Sequence, residues 1–136
     1  MKWSNRQFGE FEFLPEHVLT FPDGLIGFEQ LQKYILINDE DSQPFLWLVS
    51  LEDADVSFPV IAPHAFVAKY DEEVHKKPDE TMLVIVSLRE KMEDSTVNLR
   101  SPIILANSMG RQVVLENDGY PFQYRFLKSA STAEKG

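Results

Sequence analysis

A chain of 136 residues with no cysteine and a formal net charge of −9 is long enough to bury one hydrophobic core, and packing rather than disulfides or thiolate metal sites must stabilise it. Its 43% hydrophobic and 26% charged residues exclude a disordered chain, and no apolar run approaches the roughly 18 residues that cross a bilayer as a helix. The acidic balance argues against nucleic acid, whose phosphates need clustered Lys and Arg, and suits either simple solubility or a basic protein partner.

The polar start, Met1 to Gln7, has no apolar stretch behind it that would direct secretion, so the cytoplasm is the expected compartment. In Gly9 to Leu14, Phe11 and Phe13 alternate with Glu10 and Glu12, the pattern of a half-buried strand. Val18 to Phe21 is a second short strand running into Pro22-Asp23-Gly24, a turn by its chemistry, with Gly24 and Gly27 expected at positive φ and a helical turn around Glu29 to Lys33. Tyr34 to Asn38 and Phe45 to Ser50 read as a hairpin with a long polar loop. Pro59, inside Ser57 to Ala62, suggests an edge strand or a bulge. The most polar segment, Asp71 to Glu80, is a loop or a short exposed helix stopped near Pro78. Met82 to Leu88 is a continuous apolar run of strand length, followed by strands at Val97 to Leu99, Ile103 to Asn107, Arg111 to Leu115 and Phe122 to Phe126, with a hairpin turn at Ser108-Met109-Gly110. Short strands with no crossover helix between them argue for an all-β, mostly antiparallel chain: one small barrel-like or sandwich domain with short helical turns over residues 1–127, and a flexible C-terminal tail over 128–136.

No constellation in this sequence carries catalysis. His17, His64 and His75 lie in separate turns without metal-ligand spacing, and the acidic loop from Asp39 lacks the glycine and the oxygen ligands of a calcium loop. Gly24 and Gly27 have neither a third glycine nor the Lys-Ser/Thr of a phosphate loop. The expectation is a protein that is no enzyme, needs no metal or other cofactor, and binds proteins through a few exposed apolar or acidic residues.

Two stretches carry a resemblance. Leu19-Thr20-Phe21-Pro22-Asp23-Gly24-Leu25-Ile26-Gly27-Phe28-Glu29, followed by Phe45, Leu48 to Leu51, Phe58-Pro59-Val60-Ile61-Ala62-Pro63 and Tyr70, resembles the FliW family of flagellar assembly factors. Val97 to Asn107, with Arg111 to Leu115, resembles the family's other signature, so the likeness spans nearly the whole chain. It departs at Val49, where the family usually has glutamine, and at Ile26, where proline is frequent. The resemblance implies a small β-barrel-like protein without a cofactor. Its implied partners are flagellin and, alternatively, CsrA, the basic RNA-binding repressor of flagellin mRNA translation, with no direct contact to nucleic acid or membrane. On that footing the candidate partner-binding residues are Asp71, Glu72, Glu73, Glu90, Glu93 and Asp94, in loops flanking the Met82 to Leu88 strand, although the same carboxylates would also serve as a solvated rim. Asn98 and Pro102 are further candidates, with a conformational role as the other reading: Asn98 can bond backbone in a bend, and Pro102 suits a strand start. A second function remains open, a barrel that encloses a small apolar ligand, and it predicts a continuous internal cavity.

Overall fold

The computed structural model describes residues 1–67, 69–73, 76–116 and 119–126, with Asp71 and Glu73 described by their backbone. Strands β1 (Lys2–Asn5), β2 (Gly9–Glu12), β3 (Leu19–Thr20), β4 (Lys33–Ile37), β5 (Leu46–Ser50) and β6 (Ser57–Ile61) precede a one-turn helix α1 (Tyr70–Glu73). Strands β7 (Thr81–Ser87), β8 (Thr96–Val97), β9 (Ile103–Ala106), β10 (Met109–Gln112) and β11 (Tyr124–Arg125) follow. Single 3-10 turns stand at Pro15–His17, Glu40–Ser42, Pro63–Ala65 and Met92–Asp94. Among the described residues no helix is long and apolar enough to cross a membrane.

Seven strands close on themselves in the order β7-β6-β5-β4-β3-β10-β9, because β7 also pairs with β9. A ring with an odd number of strands cannot alternate direction at every step, so at least one neighbouring pair must be parallel. That pair is β3 with β10, in register at Thr20 and Met109, and the other ring pairs are antiparallel. Closure removes the exposed edges an open sheet would leave.

Side-chain alternation sorts the strands into three layers. Tyr34, Leu48, Val60, Leu83, Ile103 and Leu105 point inward and fill the barrel with Phe21, Leu25 and Leu31. On β4 and β5 the intervening residues Ile35, Ile37, Trp47 and Val49 point outward, and the β1–β2 hairpin covers them with Trp3, Phe8, Phe11 and Phe13. On β7 and β9, Met82, Val84, Val86 and Ile104 point outward beneath Val97, Leu99, Tyr120, Tyr124, Phe126 and the segment after the Pro63–Ala65 turn. Both faces of β7 are therefore buried, which is why its sequence is an unbroken apolar run. Tyr34 shows the cost of a dry interior: its hydroxyl is buried with no hydrogen-bond partner, and burial, reinforced by Glu52, pushes its pKa up to about 12.

The structure departs from the sequence expectations at specific points. Strand β1 was not anticipated, because its Lys-Trp-Ser-Asn sequence is polar and its apolar content is one tryptophan; pairing with β2 in the register Trp3 to Phe11 defines it. No helical turn forms over Glu29 to Lys33: Glu29 and Gln30 make a turn, Lys33 already begins β4, and Leu25 is bridged to Phe28. The hairpin turn lies at Asn107 and Ser108, both at positive φ (53° and 65°), one residue earlier than expected. Gly110 is within β10 for a different reason: a Cβ there would lie 2.7 Å from Cε1 of Phe21 and nearer still to two other ring atoms. Pro59 faces Trp47 of β5, while the ladder to β7 begins only at Val60, so this part of β6 is edge-like. Strand pairing stops at Gln112, and Val113 and Leu115 continue by bonding Pro102 and Arg100 through their backbone N–H groups. The tail expected over 128–136 lies outside the described residues.

Candidate partner-binding surface

The two signature stretches are built as turns and are tied together by one side chain. Gly24 sits at φ +67°, where a Cβ would come within 2.6 Å of the Glu29 Cα, so the position requires glycine for both conformation and space. Gly27 sits at φ +87°, and its N–H donates to Glu29 Oε2 at 2.6 Å. In the second stretch the Asn98 Oδ1 accepts the Ser101 N–H at 3.0 Å, and Pro102 is buried immediately before β9. Gln112 joins the two: its Oε1 accepts the Ile26 N–H at 2.9 Å and its Nε2 donates to the Ser101 carbonyl at 3.0 Å. Asn98 thus bonds backbone from a half-buried position, and Pro102 is buried just before β9. The motifs that carry the family resemblance do structural work, satisfying backbone groups through bonds that are exposed at Ile26 and Gly27 and partly buried at Ser101.

The acidic candidates fall into two segments of the outer layer that covers β7. Glu72 is exposed on α1, where the neighbouring Asp71 and Glu73 complete the helix. Tyr70 anchors α1: it is fully buried, its hydroxyl donates to the Leu99 carbonyl, and its ring stands edge-on to Tyr120 at 4.9 Å. The second segment, the β7–β8 loop, carries Glu90, Glu93 and Asp94 around the Met92–Asp94 turn. Buried Ser95 holds that loop by accepting the Arg89 N–H at 3.0 Å. Glu90 is exposed, whereas Asp94 is paired with Arg125 at 2.7 Å and the Glu93 carbonyl accepts from the same guanidinium at 3.1 and 3.2 Å. Arg125 therefore offsets part of the negative charge that the loop sequence suggests.

Between this loop and the Pro63–Ala65 turn lies an open cleft of about 390 Å³ lined by Gln43, Pro44, Phe45, Ile61, Ala65, Phe66, Met92 and Phe126. Its walls are aromatic: Phe66 packs on Phe126 at 5.4 Å and stacks on Tyr124 at 6.1 Å, and Phe45 stands edge-on to Phe126 at 6.1 Å. The sequence reading missed this cleft, because its residues come from four separate segments; the one local signal was Met92, exposed among the charged residues Glu90, Lys91, Glu93 and Asp94. Among the described residues no group of three or more His, Asp or Glu side chains could hold a metal ion.

Comparison with known proteins gives a consistent picture. The family described as "FliW protein" matches residues 2–126. The flagellar assembly factor FliW of Caldanaerobacter subterraneus subsp. tengcongensis is 33% identical, with 98% of this chain and 97% of the relative covered. That of Thermotoga maritima is 37% identical over 85% of this chain and 87% of the relative. A crystal structure of the flagellar assembly factor FliW superposes with a TM-score of 0.84 at 24% identity, covering 96% of this chain and 99% of the other, and so shares the fold.

Proposed function

This chain belongs to the FliW family of flagellar assembly factors, and from that membership we propose that it is a cytoplasmic regulator that binds either flagellin or the basic translational regulator CsrA. By holding CsrA it relieves repression of flagellin mRNA translation; when flagellin accumulates it takes CsrA's place, and CsrA is released. The observation that supports this most directly is the net charge of −9, to which the exposed carboxylates Glu72 and Glu90 of the outer layer contribute. Such a surface attracts a basic RNA-binding protein and repels RNA that competes for it. The alternative, an enclosed apolar ligand, needs a continuous internal cavity, whereas Phe21, Tyr34, Leu48, Val60 and Ile103 fill the barrel interior completely enough to be fully buried themselves.

The test is to mix the purified protein with CsrA and, separately, with flagellin, and to follow co-elution on a sizing column. Both mixtures should form complexes, and flagellin should displace CsrA. Titration with a flagellin-leader RNA adds a thermodynamic check: if this protein lowers CsrA's affinity for RNA by some factor, RNA must lower CsrA's affinity for this protein by the same factor. Electrostatic antagonism should shrink as salt rises. Absence of a complex with either partner would refute the proposal, and antagonism unaffected by salt, with no ternary complex, would replace the electrostatic route by steric competition.

A further inference from the structure

We propose that the aromatic cleft between the Pro63–Ala65 turn and the β7–β8 loop is a docking site for a segment of a basic protein partner, one presenting a Leu, Ile, Met or Phe anchor flanked by Lys or Arg. This deepens the protein-binding reading above and rests on it. The floor is apolar, with Phe45 and Ile61 buried and Phe66 and Phe126 half-buried, while Met92, 46% exposed, stands at the opening. A volume of about 390 Å³ holds roughly a dozen waters at about 30 Å³ each, and these face few polar partners, so their displacement by an apolar side chain is favourable.

Charge selects the flanks of the occupant. One lip is the turn Glu40–Ser42, which leads directly into the lining residues Gln43, Pro44 and Phe45. There Asp39 accepts the Asp41 N–H and the Ser42 hydroxyl, while Glu40 and Asp41 are exposed and enter no ion pair among the described residues. The opposite lip is mixed, with Glu90, Glu93 and Asp94 set among Arg89, Lys91 and Arg125. An apolar slot with an uncompensated acidic lip fits an apolar anchor with basic flanks, and the lip repels acidic segments. A second copy of this chain is a poor occupant, since it brings the same acidic lip and a net charge of −9.

The experiment uses the full chain and three labelled peptides: a Phe-Leu anchor between Lys-Lys flanks, the same anchor between Glu-Glu flanks, and Lys-Lys flanks around Ser-Ser. Anisotropy should show the first binding at least tenfold tighter than either of the others. Ala65→Trp, which fills the cleft from an exposed position, and Glu40→Lys/Asp41→Lys should each weaken that peptide and CsrA by tenfold or more, the charge variant losing its effect at high salt. Thermal melts report whether each variant is folded. If wild-type protein binds CsrA but the cleft variants retain its affinity within twofold, the docking site is overturned while the function stands. If CsrA does not bind at all, the function proposed above fails instead. Equal binding of all three peptides, or preference for the Glu-flanked one, also overturns the docking site.

Discussion

Replacing Gly110 by alanine tests the reason given for a glycine in the middle of a strand. Its Cβ would meet the ring of Phe21, with Cε1 at 2.7 Å, against roughly 3.5–4.0 Å for an ordinary carbon–carbon contact. The ring must retreat by about an ångström. It has little room, because Phe21 is fully buried and stands edge-on to Tyr34 at 5.2 Å. Overpacking of this kind costs about 1–3 kcal/mol, offset by about 0.4–1 kcal/mol from the smaller entropy of the unfolded chain. The expected net loss is about 1–2 kcal/mol, which for a chain of this size lowers Tm by roughly 3–10 °C. Thermal and urea unfolding measure it. Phe21→Leu in the Gly110→Ala background should recover part of the loss, with a coupling of at least about 0.5 kcal/mol in the double-mutant cycle. A Gly110→Ala variant as stable as wild type, or strictly additive effects of the two substitutions, would refute the close-approach argument.

Tyr34→Phe should leave stability at neutral pH nearly unchanged or slightly raised, because it deletes a buried hydroxyl with no partner. With the folded pKa pushed up to about 12 and an unfolded value near 10, wild-type stability is fully present below pH ~10 and is lost as pH rises through ~12; urea unfolding of Tyr34→Phe across that range should show a shallower decline. Glu72→Lys/Glu90→Lys should slow association with CsrA more than it speeds dissociation, and stopped-flow rates should converge with wild type as salt rises; rates unaffected by both salt and substitution would remove these residues from the steering surface. Melts with and without chelator should superimpose, and a Tm several degrees lower in chelator would reveal a structural metal.

The strands were legible because their signals are local. Phe11 and Phe13 alternate with Glu10 and Glu12, Tyr34 to Ile37 is an apolar run of strand length, and Pro-Asp-Gly marks its own turn, so element type could be read within a window of a few residues. The positive φ of Gly24 and Gly27 followed from the same turn chemistry. Reading Gly110 as a turn residue failed for the converse reason: nothing near it in sequence announces that Phe21, 89 positions away, presses its ring against that backbone. The acidic loop was visible as a run of carboxylates, but the offset of Asp94 by Arg125 depends on β11 folding beside β8.

The amino-acid order by itself determined a cysteine-free, acidic, all-β chain and the turns of its signature stretches, because composition, period and turn chemistry act over short distances. Only the tertiary structure decided which apolar face of β4, β5 and β7 lines the barrel and which is roofed by another segment, since both faces are apolar and alternation alone cannot rank them. It also decided the parallel β3–β10 pair, which the parity of a seven-strand ring demands once the ring closes. The aromatic cleft belongs to the same class: Phe45, Ala65, Met92 and Phe126 become one surface through long-range packing, for which no local pattern in the chain codes.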